Sequence, residues 1–332
     1  MDAPAPAVER PRRMDSLQVL RAVAALAVVL FHCNWTGIAS FGVELFFVLS
    51  GFIICHAAAV DPEWFLLKRA FRVIPLYWTA TLGIFAVALA VPALVPSTVP
   101  SLDNLLRSLL FVPYLRADGE SFPLLFLGWT LNYEAFFYAV FALALALGGR
   151  RAPLLALAML GGAILARPWL AGLGFAFEFW TSPILLNFIC GIFAWYVWRL
   201  AGHGLRSAPA VLAGPVAIAC LAAFVFGLGP RLGGAFPWNG ALGVVLLLAL
   251  LRLDGAVRWP AWLLLIGDAS YSLYLLHPYV LELFNRLIHP FGPDPLGIAV
   301  TSVAVLLAVG VAIASFHLLE RPSNHALRRL LK

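Results

Sequence analysis

The sequence predicts an all-α polytopic membrane protein, a helical bundle of about ten transmembrane spans with both termini in the cytoplasm. Three observations lead there. Hydrophobic residues make up 63% of the 332 and charged residues only 11%, for a mean hydropathy of +0.94, which leaves too little polar surface for a soluble chain of this length. The apolar runs are continuous over roughly the 20 residues a helix needs to cross the hydrocarbon core, where a β-barrel strand would alternate. Lys and Arg also gather in alternate loops. With the N-terminus inside, 16 of the 22 lie on the cytoplasmic side, five lie opposite (Arg107, Arg116, Arg167, Arg231 and Arg286), and Arg21 sits within the first span. Such a bias marks cytoplasmic loops. The pI near 9.4 comes from these loop cations and does not point to nucleic acid.

Residues 1–16 are Pro-rich and basic with no apolar region, so they read as a disordered cytoplasmic tail and not a cleavable signal. The expected spans are 17–36, 41–58, 75–95, 124–147, 152–166, 183–198, 209–229, 234–251, 262–288 and 296–318. Residues 323–332 form a short basic cytoplasmic tail. The first two spans are joined by a few residues and form a hairpin, with Gly42 and Ser50-Gly51 allowing close helix approach. The loop 96–123 is the longest on the outer side. Cys33, Cys55, Cys190 and Cys220 have neither metal nor redox spacing and read as packing residues, so no metal or bound cofactor is expected.

Polar residues inside the apolar runs carry the functional signal. Arg21 and His32 are 11 residues apart, which is three helical turns plus about 20°, so both leave one face about 16 Å apart along the axis. A cation and a titratable base on one stripe of a membrane helix are expensive and mark a pathway or reaction site; alternatively Arg21 anchors the cytoplasmic end and His32 bonds a neighbouring helix. Glu44 is either an interfacial carboxylate or faces His32 across the hairpin. Lys68, Arg69 and Arg72 follow Trp64 and Phe65 in a short amphipathic segment. That segment is an interfacial helix or a phosphate clamp. Glu134 lies within an apolar run with Thr130 four residues before it and Tyr138 four after, a polar stripe. Spans five to eight are mostly featureless, Asn187 and Trp195 apart. Ser270, Tyr274 and His277 share a helical face. Glu320 falls where the tenth helix is expected to end, and a C-terminal macrodipole disfavours an acid there; Arg21, at the same level, would compensate it.

In order, the segments LQVLRAVAALAVVLFH, GVELFFVLSGFII, FLLKRAFRVIPLYW, GWTLNYEAFFY, GDASYSLYLLHPYV and ERP resemble the membrane acyltransferase-3 family, and most of all its exopolysaccharide O-acetyltransferase branch of the succinoglycan kind. The resemblance runs from Leu17 to Pro322 and makes 17–322 the acyltransferase domain. It implies acyl transfer from cytoplasmic acetyl-CoA, the donor substrate, to a hydroxyl of a carbohydrate or lipid-linked saccharide at the bacterial inner membrane. By motif it implies catalytic roles for Arg21, His32 and Glu134, and donor binding by Lys68, Arg69 and Arg72. Glu44, Tyr138, Ser270, Tyr274, His277 and Glu320 are supporting candidates. The family usually carries an acid where Asn187 stands, so no role is carried to that position.

Elementary chemistry agrees. A sugar hydroxyl needs a base near neutral pH, which imidazole supplies. Attack on a thioester makes an oxyanion that needs a donor or cation, and CoA phosphates need Arg or Lys. The rival class is a carrier or flippase for a polar lipid or sugar, which buried charge would also suit; no inverted repeat or matched pair of broken helices is evident.

Overall fold

The computed structural model describes residues 13–34, 41–95, 98–116, 119–207, 209–227 and 238–331. Most of the expected N-terminal tail, parts of the spans at 17–36, 209–229 and 234–251, and Asp118 and Arg231 lie outside the described residues.

Helices build the fold; among the described residues the one β pairing is a bridge between Asp254 and Val257. They are α1 (Asp15–His32), α2 (Gly42–Val60), α3 (Phe65–Ala90), α4 (Leu102–Leu109), α5 (Gly128–Gly148), α6 (Ala152–Leu170), α7 (Phe175–Trp180), α8 (Leu186–Ser207), α9 (Ala210–Val225), α10 (Trp238–Leu253), α11 (Ala261–Asp268), α12 (Ser270–Leu287), α13 (Pro295–Ser315) and α14 (Arg321–Leu330). Each expected span overlaps one of them. Six stretches are apolar and long enough to cross a bilayer: Asp15–His32, Gly42–Val60, Phe65–Ala90, Gly128–Leu170, Phe175–Ala201 and Pro295–Leu327. Ala210–Val225 and Trp238–Leu253 are apolar but shorter. Within Gly128–Leu170 the chain turns between α5 and α6 at Gly149, whose φ of 49° suits glycine.

The chain is centred on α1, which packs on α2, α10, α11 and α12. Its Ala22, Ala24 and Ala25 are fully buried, and small side chains let neighbouring helices come close where lipid supplies no hydrophobic drive. Its N-terminal end is tied down. The Ser16 N–H and hydroxyl donate to Asp254 at 2.9 and 2.8 Å, and Arg13 makes two bonds to Asp268 at 2.8 and 3.0 Å. Asp15 and Ser16, counted with the tail in the sequence, belong to α1, and the acids that hold residues 13–16 lie more than 200 positions away, beside α10 and at the end of α11.

The small residues of α2 act as expected. Gly42 faces Ala24 and Val28 of α1, and Gly51 meets Gly191 of α8 backbone to backbone. A Cβ on Gly51 would lie 2.9 Å from the Gly191 Cα, and one on Gly191 would run into the Val48 carbonyl.

Three local expectations are corrected. The basic segment is not a separate interfacial helix: it forms the first turns of α3, which passes through Pro75 without ending. The Thr79 hydroxyl donates to the Pro75 carbonyl at 2.7 Å within that helix. The ninth span is broken at Ala269 into α11 and α12. The tenth does not end at Glu320, because α13 runs through a π turn at Phe316–Glu320 into α14, which packs on α3. The loop 98–116 contributes α4 and the buried Leu105, Ser108 and Tyr114, so it is built into the bundle.

Two measurements check this arrangement. Gly191→Val should cost roughly 1–3 kcal/mol or more through overpacking, seen as a lower Tm and loss of a monodisperse species, whereas Gly161→Ala and Gly162→Ala, which open onto empty space, should match or exceed the parent. Reporter fusions after Arg151 and Lys332 should read as cytoplasmic and fusions near Asp118 as external if all ten helices that overlap the expected spans cross the bilayer.

Candidate active site

A cavity between α1, α2, α3, α5 and α12 gathers most of the polar residues singled out in the sequence. Arg21, Arg69, Arg72, Glu134, Tyr138, Ser270 and Tyr274 all line it. Arg21 is 8% exposed and donates to Gln18 at 3.2 Å, and Arg69 Nε is buried with no partner. Among the described residues no carboxylate stands within ion-pair distance of these three guanidinium groups. Helix spacing explains their convergence. Arg69 and Arg72 are one turn apart on α3, and Arg21 faces them from α1. Lys68 points elsewhere and pairs with Asp61 at 2.5 Å, so it does not belong to the cavity.

Glu134 is held on this cavity by two hydroxyls. Ser50 donates to its Oε1 at 3.2 Å and Tyr138 donates to the same oxygen, which leaves Oε2 without a partner among the described residues. Ser270, buried, has an unpartnered hydroxyl here, at the first turn of α12. Glu320 is not an ion-pair partner of Arg21. It accepts from the Ser272 N–H at 2.9 Å and from the Ser272 hydroxyl, and so caps the start of α12, where Ala269 has no side-chain acceptor. That is the physical reason for an acid at this position.

A second cavity, about 300 Å³, opens on the His32 end of α1. His32, Glu44, Phe126 and Trp129 line it, and Val43 and Tyr274 line both cavities. The Tyr274 hydroxyl is fixed against Thr130 at 2.7 Å. Glu44 is thus the carboxylate that shares a cavity with His32. Its Oε1 accepts from Asn239 at 3.4 Å, while Oε2 is buried without a partner.

Two imidazoles meet at this end. His32 Nδ1 lies 2.8 Å from the Val28 carbonyl, and His277 Nδ1 lies 2.9 Å from the Leu273 carbonyl. A carbonyl only accepts, so both Nδ1 atoms carry hydrogen. His277 Nε2 is then an acceptor, and it sits 3.2 Å from His32 Nδ1. The arrangement leaves His32 Nε2 with the free lone pair. Protonation there gives an imidazolium whose Nδ1–H already has two acceptors, the role a third group plays in orienting a catalytic histidine.

A sequence profile for an acyltransferase domain matches residues 14–317. The chain belongs to the acyltransferase-3 family. It is 37% identical over 314 residues, 89% of this chain and 94% of the relative, to the exopolysaccharide production protein ExoZ of Rhizobium meliloti (strain 1021). It is 30% identical over 336 residues to BcsY of Komagataeibacter xylinus, described as a membrane-bound transacylase, covering 93% of this chain and 82% of that one. It is also 26% identical over 357 residues to the peptidoglycan O-acetyltransferase OatA of Listeria monocytogenes serovar 1/2a (strain ATCC BAA-679 / EGD-e), covering 93% of this chain and 55% of that one. No solved structure matches. This family member is a multi-pass membrane acyltransferase.

The structure thus brings Arg21, Arg69, Arg72, Glu134, Tyr138, Ser270 and Tyr274, each singled out in the sequence for its own reason, onto one cavity, whose lining does not include Lys68 or Glu320. Sequence reading missed Ser50, taken only as a small packing residue, and Tyr271, which donates to the Val73 carbonyl at 2.7 Å on the cavity wall. The His32–His277 contact joins residues 245 apart, and only the shared-face spacing on α12 hinted at it. The pair makes a prediction. His277→Leu should lower kcat for acyl transfer by about 10- to 100-fold with donor KM nearly unchanged, and His277→Gln, which keeps an acceptor, should restore much of it.

Proposed function

We propose that this acyltransferase moves an acetyl group from acetyl-CoA to a hydroxyl of an exported carbohydrate, at the cytoplasmic membrane of a bacterium. The observation that carries the reading is the pair of cavities meeting at Val43 and Tyr274, one with three arginines that have no carboxylate at ion-pair distance among the described residues, the other with the free nitrogen of His32. The arginines suit the phosphates of the donor, since three cations stand here against the single carboxylate of Glu134. Its long thioester arm passes Tyr274 towards His32, about 16 Å from Arg21 along α1. His32 Nε2 takes the proton of the acceptor hydroxyl as that oxygen attacks the thioester carbonyl. The bond to sulfur breaks, CoA leaves as the thiolate or thiol, and the proton returns through the imidazole. Glu134 lies on the donor side and orients the donor there with Tyr138. The carbohydrate class agrees with the printed names of the relatives, one an exopolysaccharide production protein and one a peptidoglycan O-acetyltransferase.

Direct transfer is the preferred route. It needs one base, His32, whereas a covalent acetyl-His32 would need a second for the acceptor; Glu134 lines the donor cavity, and that task would fall to Glu44.

Purified protein with labelled acetyl-CoA tests the reading. His32→Ala should abolish transfer and leave donor binding largely intact, while Arg69→Gln with Arg72→Gln should raise donor KM more than it lowers kcat. Acetyl-His32 formed, with CoA released, before acceptor is added would replace the direct route by the covalent one. Wild-type turnover by His32→Ala would remove both.

A further inference from the structure

Beside the His32 cavity lies a hollow of about 310 Å³ that the reaction above does not use. Trp129 and Phe122 line both, so one wall separates and joins them. Volumes of this size sit at the low end of small-molecule sites, roughly 300–1,000 Å³. Aromatic rings form part of the hollow: Tyr133 stacks on Phe179 with centroids 3.9 Å apart, and Trp129 meets Tyr133 edge-on at 6.1 Å. Arg167 and Glu178 complete it, paired at 3.0 Å with side chains 33% and 50% exposed.

An ion pair this exposed adds at most about 1 kcal/mol to stability, so folding gives little reason for it. Arg167 donates once to the Glu178 carboxylate and once to the Glu178 carbonyl, which leaves three of the five guanidinium N–H donors. The second carboxylate oxygen is an open acceptor alongside them. Tyr133 and Phe179 are buried against each other, so the rings left to the hollow are the half-buried Phe122, Trp129 and Phe175, and these beside a planar donor–acceptor fork match one ligand chemistry well. A pyranose ring has an apolar C–H face that rests on an aromatic ring and a rim of hydroxyls that both donate and accept. A hydrocarbon chain would leave the fork unsatisfied, and a polyanion would meet Glu178.

We propose that this hollow is an acceptor subsite holding the sugar next to the one acylated at His32, so that the substrate is an oligosaccharide or polysaccharide and not a single sugar. The inference rests on the carbohydrate O-acyltransferase reading above. The shared Trp129–Phe122 wall is what makes two linked sugars, one per hollow, the fitting occupant.

The test uses the full-length purified chain, labelled acetyl-CoA, and exopolysaccharide of the source strain, de-O-acetylated with mild alkali and cut into size-sorted fragments. For the parent, kcat/KM should rise about tenfold or more from monosaccharide to trisaccharide, the worth of one sugar's hydrogen bonds. Arg167→Gln and Glu178→Gln should shrink that rise to within about threefold and leave the monosaccharide rate within about twofold. Glu178→Gln keeps the bond from Arg167 to the residue 178 carbonyl, so it controls for a folding defect in the first variant. Equal rates for short and long fragments in the parent overturn the subsite, as does a loss in both variants that is the same for every fragment. Label that reaches no fragment of any length overturns the O-acyltransferase reading itself.

Discussion

Three guanidinium groups held around one cavity inside a helix bundle, with no carboxylate at ion-pair distance among the described residues, are the constraint on which the rest of this structure turns. Burying cations without partners costs several kcal/mol each unless water or an anion reaches them. The fold meets that cost by keeping the cavity open and polar. Gln18, Ser50, Glu134, Tyr138 and Ser270 all stand at or beside it, and Glu134 adds negative charge without pairing directly. A bundle built only for stability would have placed an acid against each arginine. Leaving them free favours an anionic ligand that arrives and departs, and a donor with several phosphates is such a ligand.

The second organising feature is the partition at Tyr274. Its hydroxyl is hydrogen-bonded to that of Thr130 at 2.7 Å, and the two hydroxyls lie 3.3 and 3.0 Å from the Leu127 carbonyl. α5 and α12 are thus tied at the point where the two cavities meet. α1 passes both, so the same helix that presents Arg21 to one presents His32 to the other. The close contact at Gly51 and Gly191 sets how near α2 and α8 lie, and α2 lines both cavities through Val43.

What the sequence made legible follows from locality. Helix identity, the Arg21–His32 stripe, the Thr130–Glu134–Tyr138 stripe and the Ser270–Tyr274–His277 face are set by spacing within one helix, and the structure shows each of them. The failures are of another kind. Lys68 sits one residue from Arg69, but neighbouring helical positions differ by roughly 100° and face different surroundings. Glu320 was explained by a helix end that does not exist, because a π turn carries the helix on and lets the carboxylate cap α12. Residues 13–16 owe their order to Asp254 and Asp268, more than 200 positions away. Long-range pairings leave no periodic trace.

The two histidines show how such a pairing changes chemistry. A lone imidazole at the end of α1 would be free to hold its proton on either nitrogen. The Val28 carbonyl alone favours hydrogen on Nδ1, since that bond is lost in the other tautomer. His277 strengthens the preference, because its own Nδ1–H is committed to Leu273 and its Nε2 can only accept. Two helix carbonyls, Val28 and Leu273, thereby fix the protonation pattern of both rings. The His32 ring is thus oriented by the protein alone, at the meeting of two chain segments whose sequences say only that each has a histidine.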